Sequence, residues 1–270
     1  MKKRWIWILA IVLLGLLAFD SRLAVRTYRV EVPGMTSTAR LALVTDLHSC
    51  KWGEDQTQLI EAVIDQKPDV VLLGGDVFDD KMPDTNTELF LRGIADRFPC
   101  YYVTGNHEYW SKKEAFSKKM AILEELGVKR LQNEAVRLNL GGTELTLCGL
   151  DDPAGKQDFS RQLAQLAEKT QDGYTILLSH RPERFVEYAE YGFDLVLSGH
   201  AHGGQWRIPL LLNGLLAPDQ GLFPRYAGGR YERGGTTMLV SRGLARESTR
   251  IPRIFNRPDL VVVELSDGTT

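Results

Sequence analysis

Five short apolar runs, "RLALVTDLH", "DVVLLGGD", "CYYVTGNH", "YTILLSH" and "DLVLSGH", each stop on Asp, Asn or His. Runs of this length, rich in β-branched and aliphatic residues, read as buried strands. Amphipathic stretches at Thr57 to Gln66 and Thr87 to Phe98 separate the first three, each long enough for one helix, and further helices are expected over Lys112 to Leu126 and Phe159 to Thr170. Asp46, Asp76 and Asn106 recur at a spacing of thirty, the length of a strand-helix-strand crossover. The pattern is that of an α/β protein with polar groups at the carboxyl ends of parallel strands, where open α/β sheets build their sites.

The segment "RLQNEAVRLNLGGTELTLCGLDD" alternates differently and turns at Gly141-Gly142, so it reads as a β-hairpin. "TTMLVSRG" and "LVVVELS" add strands, which implies a mixed architecture with a second sheet. Residues 20 to 39 form a tether running into an edge strand around Thr27 to Val32, halted by Pro33 and Gly34. No linker interrupts the chain from Arg40 to Ser266. Three parts are expected: an N-terminal segment over 1–25, a tether and edge strand over 26–39, and one catalytic domain over 40–270.

The N-terminus is different in kind. "MKKRWIWILAIVLLGLLAFD" places a basic head before an apolar run from Trp5 to Phe19, the layout of a signal peptide or signal-anchor. Asp20, Ser21 and Arg22 follow without a small-x-small cleavage site, which favours an uncleaved single-pass anchor over secretion after cleavage. Lys2, Lys3 and Arg4 would stay in the cytoplasm and put the catalytic domain outside it, although Arg22, Arg26 and Arg29 on the far side oppose that orientation. A net charge of -2 argues against nucleic acid as a partner. Cys50, Cys100 and Cys148 fit neither a C-x-x-C site nor a dense disulfide framework and read as plain thiols, with one disulfide plus one thiol as the rival. Cys50, two residues past His48, is either an accessory ligand or a small loop residue.

All five histidines, His48, His107, His180, His200 and His202, fall at or just after the strand tips. Asp46, Asp76, Asp79 and Asn106 stand with them. Imidazole, carboxylate and amide oxygen suit Mn, Fe, Zn or Co, and the absence of cysteine at the tips argues against a structural zinc cage or an iron-sulfur cluster. Seven candidate ligands exceed the needs of one ion, so two are expected, joined by a bridging carboxylate. His200 and His202, two apart on extended backbone, point to one face.

In order, Asp46-x-His48, Gly75-Asp76-x-x-Asp79, Gly105-Asn106-His107-Glu108, His180 and Gly199-His200-x-His202 resemble the signature of the calcineurin-like metallophosphoesterases. "HGGQWRIP", "GLFPRYAGGRY" and "VSRGLARES" resemble its membrane-associated bacterial branch, the YkuE/YaeI-like phosphodiesterases. The resemblance implies a four-layer α-β-β-α sandwich of two mixed sheets. It also implies that Asp46, His48 and His202 hold one metal, that Asn106, His180 and His200 hold the other, and that Asp76 bridges them. His107 would face the substrate as general acid or as a donor to the phosphoryl oxygen, with Asp79 orienting a ligand or turn and Glu108 doing the same for His107.

Two divalent ions against two carboxylates leave the site positive, so a metal-bound hydroxide could attack phosphorus in line without a serine or cysteine nucleophile. "LLSHRPE" lacks the flanking glycine of a nucleophile elbow, so Ser179 reads as a strand residue. No lysine follows Lys169, yet Arg225, Arg230, Arg233, Arg242, Arg246, Arg250, Arg253 and Arg257 do, and Arg242 and Arg246 are the first candidates for gripping substrate phosphate. "WRIPLLLNGLLAP" reads as core, with a greasy wall for an acyl chain or a bilayer contact as the rival. The expected activity is cleavage of phosphodiester or pyrophosphate bonds, in a phosphate-ester or diphosphate substrate that a lipid could carry. A phosphomonoesterase or nucleotidase, and a non-catalytic metal-binding scaffold, are the alternatives.

Overall fold

Alternation along the strands decides the layering. The computed structural model describes residues 2–155, 158–170, 173–246 and 251–268; Arg250 lies outside them. Its helices are α1 (Lys2–Ala18), α2 (Thr57–Asp65), α3 (Thr85–Ala95), α4 (Asn106–Trp110), α5 (Lys113–Glu125), α6 (Phe159–Glu168) and α7 (Phe185–Glu190). Its strands are β1 (Ala24–Glu31), β2 (Ala39–Val44), β3 (Val70–Gly74), β4 (Cys100–Val103), β5 (Lys129–Arg130), β6 (Glu134–Leu140), β7 (Thr143–Leu150), β8 (Tyr174–Ser179), β9 (Leu195–Ser198), β10 (Leu216–Ala217), β11 (Gly221–Leu222), β12 (Gly229–Arg233), β13 (Thr236–Val240) and β14 (Asp259–Ser266).

Two six-stranded mixed sheets result, in the orders β1-β14-β2-β3-β4-β5 and β12-β13-β9-β8-β7-β6, with β10 and β11 as a separate small ribbon. Leu41 and Leu43 of β2 and Ile176 and Leu178 of β8 point into one core between the sheets. Their alternates, Ala42 and Val44, meet α2, α3 and α5 on one outer face. Leu177 meets α6 and α7 on the other. The central strands β2, β3, β8 and β9 are therefore apolar on both faces, which is why those runs read as continuous rather than alternating. The expected α/β fold with two mixed sheets is present, as is the hairpin, formed by β6 and β7 around Gly141 and Gly142.

Strand direction positions the site. β2, β3 and β4 run parallel, as do β7, β8 and β9, while β14 runs antiparallel to β2 and parallel to β1. The carboxyl ends of β2 to β4, the start of β14 and the start of β1 thus lie at one end of the first sheet. The last residues of α1 join there, where the Phe255 amide donates to the Ala18 carbonyl at 2.7 Å.

Two expectations change. α1 covers the apolar run, but 17 residues at a rise of 1.5 Å give only about 25 Å against a hydrocarbon core of about 30 Å. No helix among the described residues is long and apolar enough to cross a membrane. The core reading of "WRIPLLLNGLLAP" also fails, since Ile208, Leu210 and Leu211 are exposed. The turn is closed by Ile208 and Leu212 exchanging backbone hydrogen bonds, which tilts the intervening side chains outward. The three cysteines are buried thiols without a disulfide among the described residues, in line with the plain-thiol reading.

Candidate metal centre

After β2, β3 and β9 the chain passes through tight, left-handed turns. Asp46, His48, Asp76, His200 and His202 all have positive φ, between 47° and 63°. Strain of this kind costs on the order of 1–3 kcal/mol per residue and persists only where surrounding contacts hold it. Those contacts are visible. The Asp46 amide donates to the Gly75 carbonyl and the His48 amide to the Asp76 carbonyl, each at 3.0 Å, locking the β2 tip onto the β3 tip. The His200 amide donates to both carboxylate oxygens of Asp46, at 3.0 and 3.1 Å, and so ties the second sheet to the first. Gly75, at φ +88°, is required twice over, because a Cβ there would also stand 2.6 Å from His180 Nδ1.

Six of the seven expected ligands gather into two groups. Asp46, His48 and His202 place ligand atoms within 4.8 Å of one another, and so do Asp76, His180 and His200. Between the groups, Asp76 Oδ2 stands 3.1 Å from His180 Nε2 and 3.6 Å from His48 Nε2. Asn106 opens α4 beside them. Asp76 Oδ2, His48 Nε2, Asn106 Oδ1 and His202 Nδ1 are buried polar atoms without a hydrogen-bond partner. Buried orphans of this kind cost free energy unless an ion or water completes them. Their donor types and their convergence fit a pair of divalent cations.

The ring nitrogens are sorted by outer contacts. Asp79 holds His48 Nδ1 at 3.0 Å, and the Gly74 carbonyl holds His180 Nδ1 at 2.9 Å, so each Nε2 is left facing the cleft. His200 is reversed: Asp219 takes its Nε2 at 2.8 Å, while Nδ1 lies 3.2 Å from His180 Nε2. Such partners fix the tautomer and raise ligand basicity. Burial opposes a charge on His180, yet the carboxylates of Asp76, Asp46 and Asp152 push its pKa up to about 10. Burial, with the charge of His48 and Arg253, drives His202 down to about 3 even though Asp46 opposes it. Neighbouring rings are thus pushed in opposite directions, a pattern common at functional sites.

His107 stands apart from the other four imidazoles. Its side chain is 21% exposed, whereas theirs are exposed by 7% or less. Asp80 Oδ1 holds its Nδ1 at 2.7 Å, and its ring packs edge-on against His48 at 4.3 Å. Glu108 accepts from the amides of Asp76, Phe78 and Gly105 at 2.8 to 3.0 Å, so it braces the ligand turns. It makes no bond to the His107 ring. Burial and the nearby Asp76 raise its pKa to about 7.

The candidate substrate arginines stand off from the ligands. Arg246 stacks over Trp52, 4.7 Å from the ring centre, and the Arg242 side chain turns toward Asp259. Sequence reasoning missed Arg181, Asp80 and Asp219 here, and named Arg253 only as one of a run of arginines. Arg253, partly buried, donates to the carbonyls of Arg242, Gly243, Ala245 and His202 and so clips two loops of the site together. Arg181 pairs with Asp152 at 2.5 Å and with Asp219. Asp80 and Asp219 hold His107 and His200. The adjacency of Asp80 to Asp79, and of Arg181 to His180, was a signal for two of them; Asp219 carried none. Ser179 is buried and bonded to Tyr188 Oη at 2.9 Å, in keeping with a strand residue.

Comparison with known proteins follows the same lines. The family model for calcineurin-like phosphoesterases matches residues 39–204. The metallophosphoesterase YkuE of Bacillus subtilis is 30% identical over 219 residues, 78% of this chain and 73% of its own. A Bos taurus protein named for a transmembrane protein with a metallophosphoesterase domain is 31% identical over 252 residues, covering 86% of this chain and 54% of that one. Among solved structures, the phosphopantetheinyl hydrolase PptH of Mycobacterium tuberculosis superposes with a TM-score of 0.52 at 14% identity, over 81% of this chain and 96% of its own, a likeness of fold.

Proposed function

The chain belongs to the calcineurin-like phosphoesterase family and is a metal-dependent phosphoesterase, and on that premise we propose that it cleaves phosphodiester or pyrophosphate bonds in an amphiphilic or lipid-linked substrate. The observation that carries the reading is the gathering of ligand atoms of Asp46, His48 and His202, and of Asp76, His180 and His200, each within 4.8 Å, with buried polar atoms of Asp76, His48, Asn106 and His202 left unpartnered. Asp46, His48 and His202 would hold one ion, Asn106, His180 and His200 the other, with Asp76 shared; Mn, Zn, Fe and Co all suit that donor set. Bound there, two such ions supply positive charge to a phosphoryl group and lower the pKa of coordinated water toward neutrality.

The chain's own groups divide the remaining work. Asp79, Asp219 and the Gly74 carbonyl keep the ligating rings in place. His107 is the imidazole open to substrate, and with Nδ1 held by Asp80 its Nε2 is the atom that can donate to a phosphoryl oxygen or give a proton to the leaving oxygen. Exposed apolar residues support an amphiphilic substrate. α1 joins the body at the site end of the first sheet, and from Arg4 to Leu17 all of it but Gly15 is exposed. Laid into a lipid surface, that helix would hold the metal centre against the membrane.

The test is hydrolysis of bis(p-nitrophenyl) phosphate against p-nitrophenyl phosphate by the full chain in neutral detergent, with Mn, Zn or a chelator. Chelator-sensitive diester cleavage that His107→Ala lowers by about a hundredfold is the expected result. Preference for the monoester would turn the reading to a phosphomonoesterase or nucleotidase. No turnover with either would leave a metal-binding scaffold.

A further inference from the structure

A second site of opposite charge lies behind the metal turn. A cavity of about 530 Å³ is lined by Arg26, Arg207 and Arg242 on one side and by Leu210, Leu211 and Phe255 on the other. Its charges do not balance. Arg26 Nε lies 3.0 Å from Asp259 Oδ2 and Arg242 Nε 3.9 Å from the same oxygen, so two guanidinium groups share one carboxylate. Arg207 has no carboxylate partner among the described residues; it donates to the Gly203 carbonyl at 3.1 Å and to Asn213 Oδ1. Burial first, then the charge of Arg242 and of Arg26, lowers its pKa to about 10, although Tyr231 and Asp259 oppose the shift. Two other arginines with little exposure are matched, Arg181 with Asp152 and Arg130 with Asp151, whereas Arg253 is held by backbone carbonyls.

The opposite wall is apolar and faces outward. Leu210 is 106% exposed and Leu211 85%. They are not a slack loop, because Ile208 and Leu212 exchange backbone bonds of 3.0 and 2.8 Å and hold Leu210 at φ +68°. A branched aliphatic residue held in that region, with nothing to pack on, is costly twice over. Phe255, on the same wall, bonds through its amide to the last residue of α1, so the lip runs on into the exposed apolar helix. The guanidinium groups thus lie just inside a continuous greasy rim.

We propose that this pocket seats the phosphate headgroup of a membrane amphiphile, with Arg207 and Arg242 gripping the phosphate and Leu210, Leu211 and α1 lying among the acyl chains. Guanidinium forks match phosphate oxygens, and a negative headgroup supplies the missing charge. The cavity falls within the ordinary size of a small-ligand site. Arg207 bonds to Gly203, next in sequence to His202, and Arg242 precedes Gly243, whose Cβ would stand 2.6 Å from Asp46 Cβ, so a headgroup here sits directly behind the metal centre. The assignment deepens the amphiphile reading above and rests on it for the orientation toward a membrane.

The test uses the full chain in nonionic detergent micelles, in an Asp76→Asn background that prevents turnover, titrated calorimetrically with dihexanoyl phosphatidic acid, dihexanoyl phosphatidylcholine or inorganic phosphate. Phosphatidic acid should bind at least about tenfold more tightly than either of the others, and Arg207→Gln should remove about tenfold of that affinity. Leu210→Ser with Leu211→Ser, at fully exposed positions where folding is not at stake, should weaken phosphatidic acid binding and leave inorganic phosphate unchanged. Equal binding of the two lipids, or affinity indifferent to Arg207→Gln, would overturn the proposal; equal binding of free phosphate and phosphatidic acid would overturn the amphiphile. Hydrolysis of bis(p-nitrophenyl) phosphate by Arg207→Gln in the otherwise wild-type chain separates the two readings. Normal turnover with lost lipid binding supports the pocket, normal turnover with intact binding sinks the pocket alone, and lipid binding without any turnover sinks the hydrolase reading alone.

Discussion

The metal centre and the arginine pocket both leave charge unbalanced, in opposite senses. In the centre, buried polar atoms of Asp76, His48, Asn106 and His202 are left without a hydrogen-bond partner. In the pocket, Arg26 and Arg242 share the single carboxylate of Asp259, and Arg207 has no carboxylate partner among the described residues. The centre is sealed and braced by strained turns, whereas the pocket opens at an exposed apolar rim. A fold can bury uncompensated lone pairs only if it holds them rigidly for an ion, because the penalty of burial is otherwise unopposed. Excess cations at a surface cost less and can wait for a mobile partner.

The largest effect should come from the group the two ligand sets share. Asp76→Asn is expected to lower kcat/KM for the diester by about a thousandfold or more, and metal content read by elemental analysis should fall with it. A variant that stayed active and loaded would break the contrast between the two sites. Next, Asp80→Asn should cost about ten- to a hundredfold in kcat and shift the pH profile, while bound metal stays unchanged, since Asp80 acts through His107. Loss of metal instead would make Asp80 part of the ion cage. Asp219→Asn, which frees His200 Nε2, should weaken metal affinity by about tenfold in a chelator competition.

Smaller effects separate the sites by solvent access. Raising salt from about 0.05 to 0.5 M shortens the screening length to a few ångströms, so phosphatidic acid binding at the open pocket should weaken severalfold while metal affinity at the buried centre changes little. A similar loss at both would mean that the centre is as wet as the pocket. The smallest effect is on acid stability. Burial opposes the Asp79 carboxylate, but His48 and the amides of Lys81 and Met82 hold its pKa at about 2, below the usual 3.8. Its contribution is therefore full above pH 4 and lost as pH falls toward 2. Asp79→Asn should flatten the melting temperature against pH over that window, and an unchanged slope would remove Asp79 from the account.

Much of this was readable along the chain. The runs that became β2, β3, β4, β8 and β9 were visible because hydrophobic continuity is a local property, and their tips were visible because each run stops on a residue that a core cannot take unpaired. Asp46, His48, Asp76, Asn106, His180, His200 and His202 were named on that ground and by resemblance. The pairing that selects a ring nitrogen was not readable. His48 with Asp79 spans 31 positions and His200 with Asp219 spans 19, and neither spacing carries a periodic signal.

Glu108 shows the same limit from the other side. Adjacency suggested His107 as its partner, yet the short helix α4 turns it inward to three backbone amides instead. "WRIPLLLNGLLAP" read as core because composition reports hydrophobicity, not where a turn points it. Strand identity, sheet content and the ligand types follow from residue chemistry and local period, which the chain carries in its own order. The tautomer contacts, the bracing by Arg253 and the union of Arg26, Arg207 and Arg242 in one cavity arise only when distant segments pack, because each is an energy between groups that the order of residues does not place side by side.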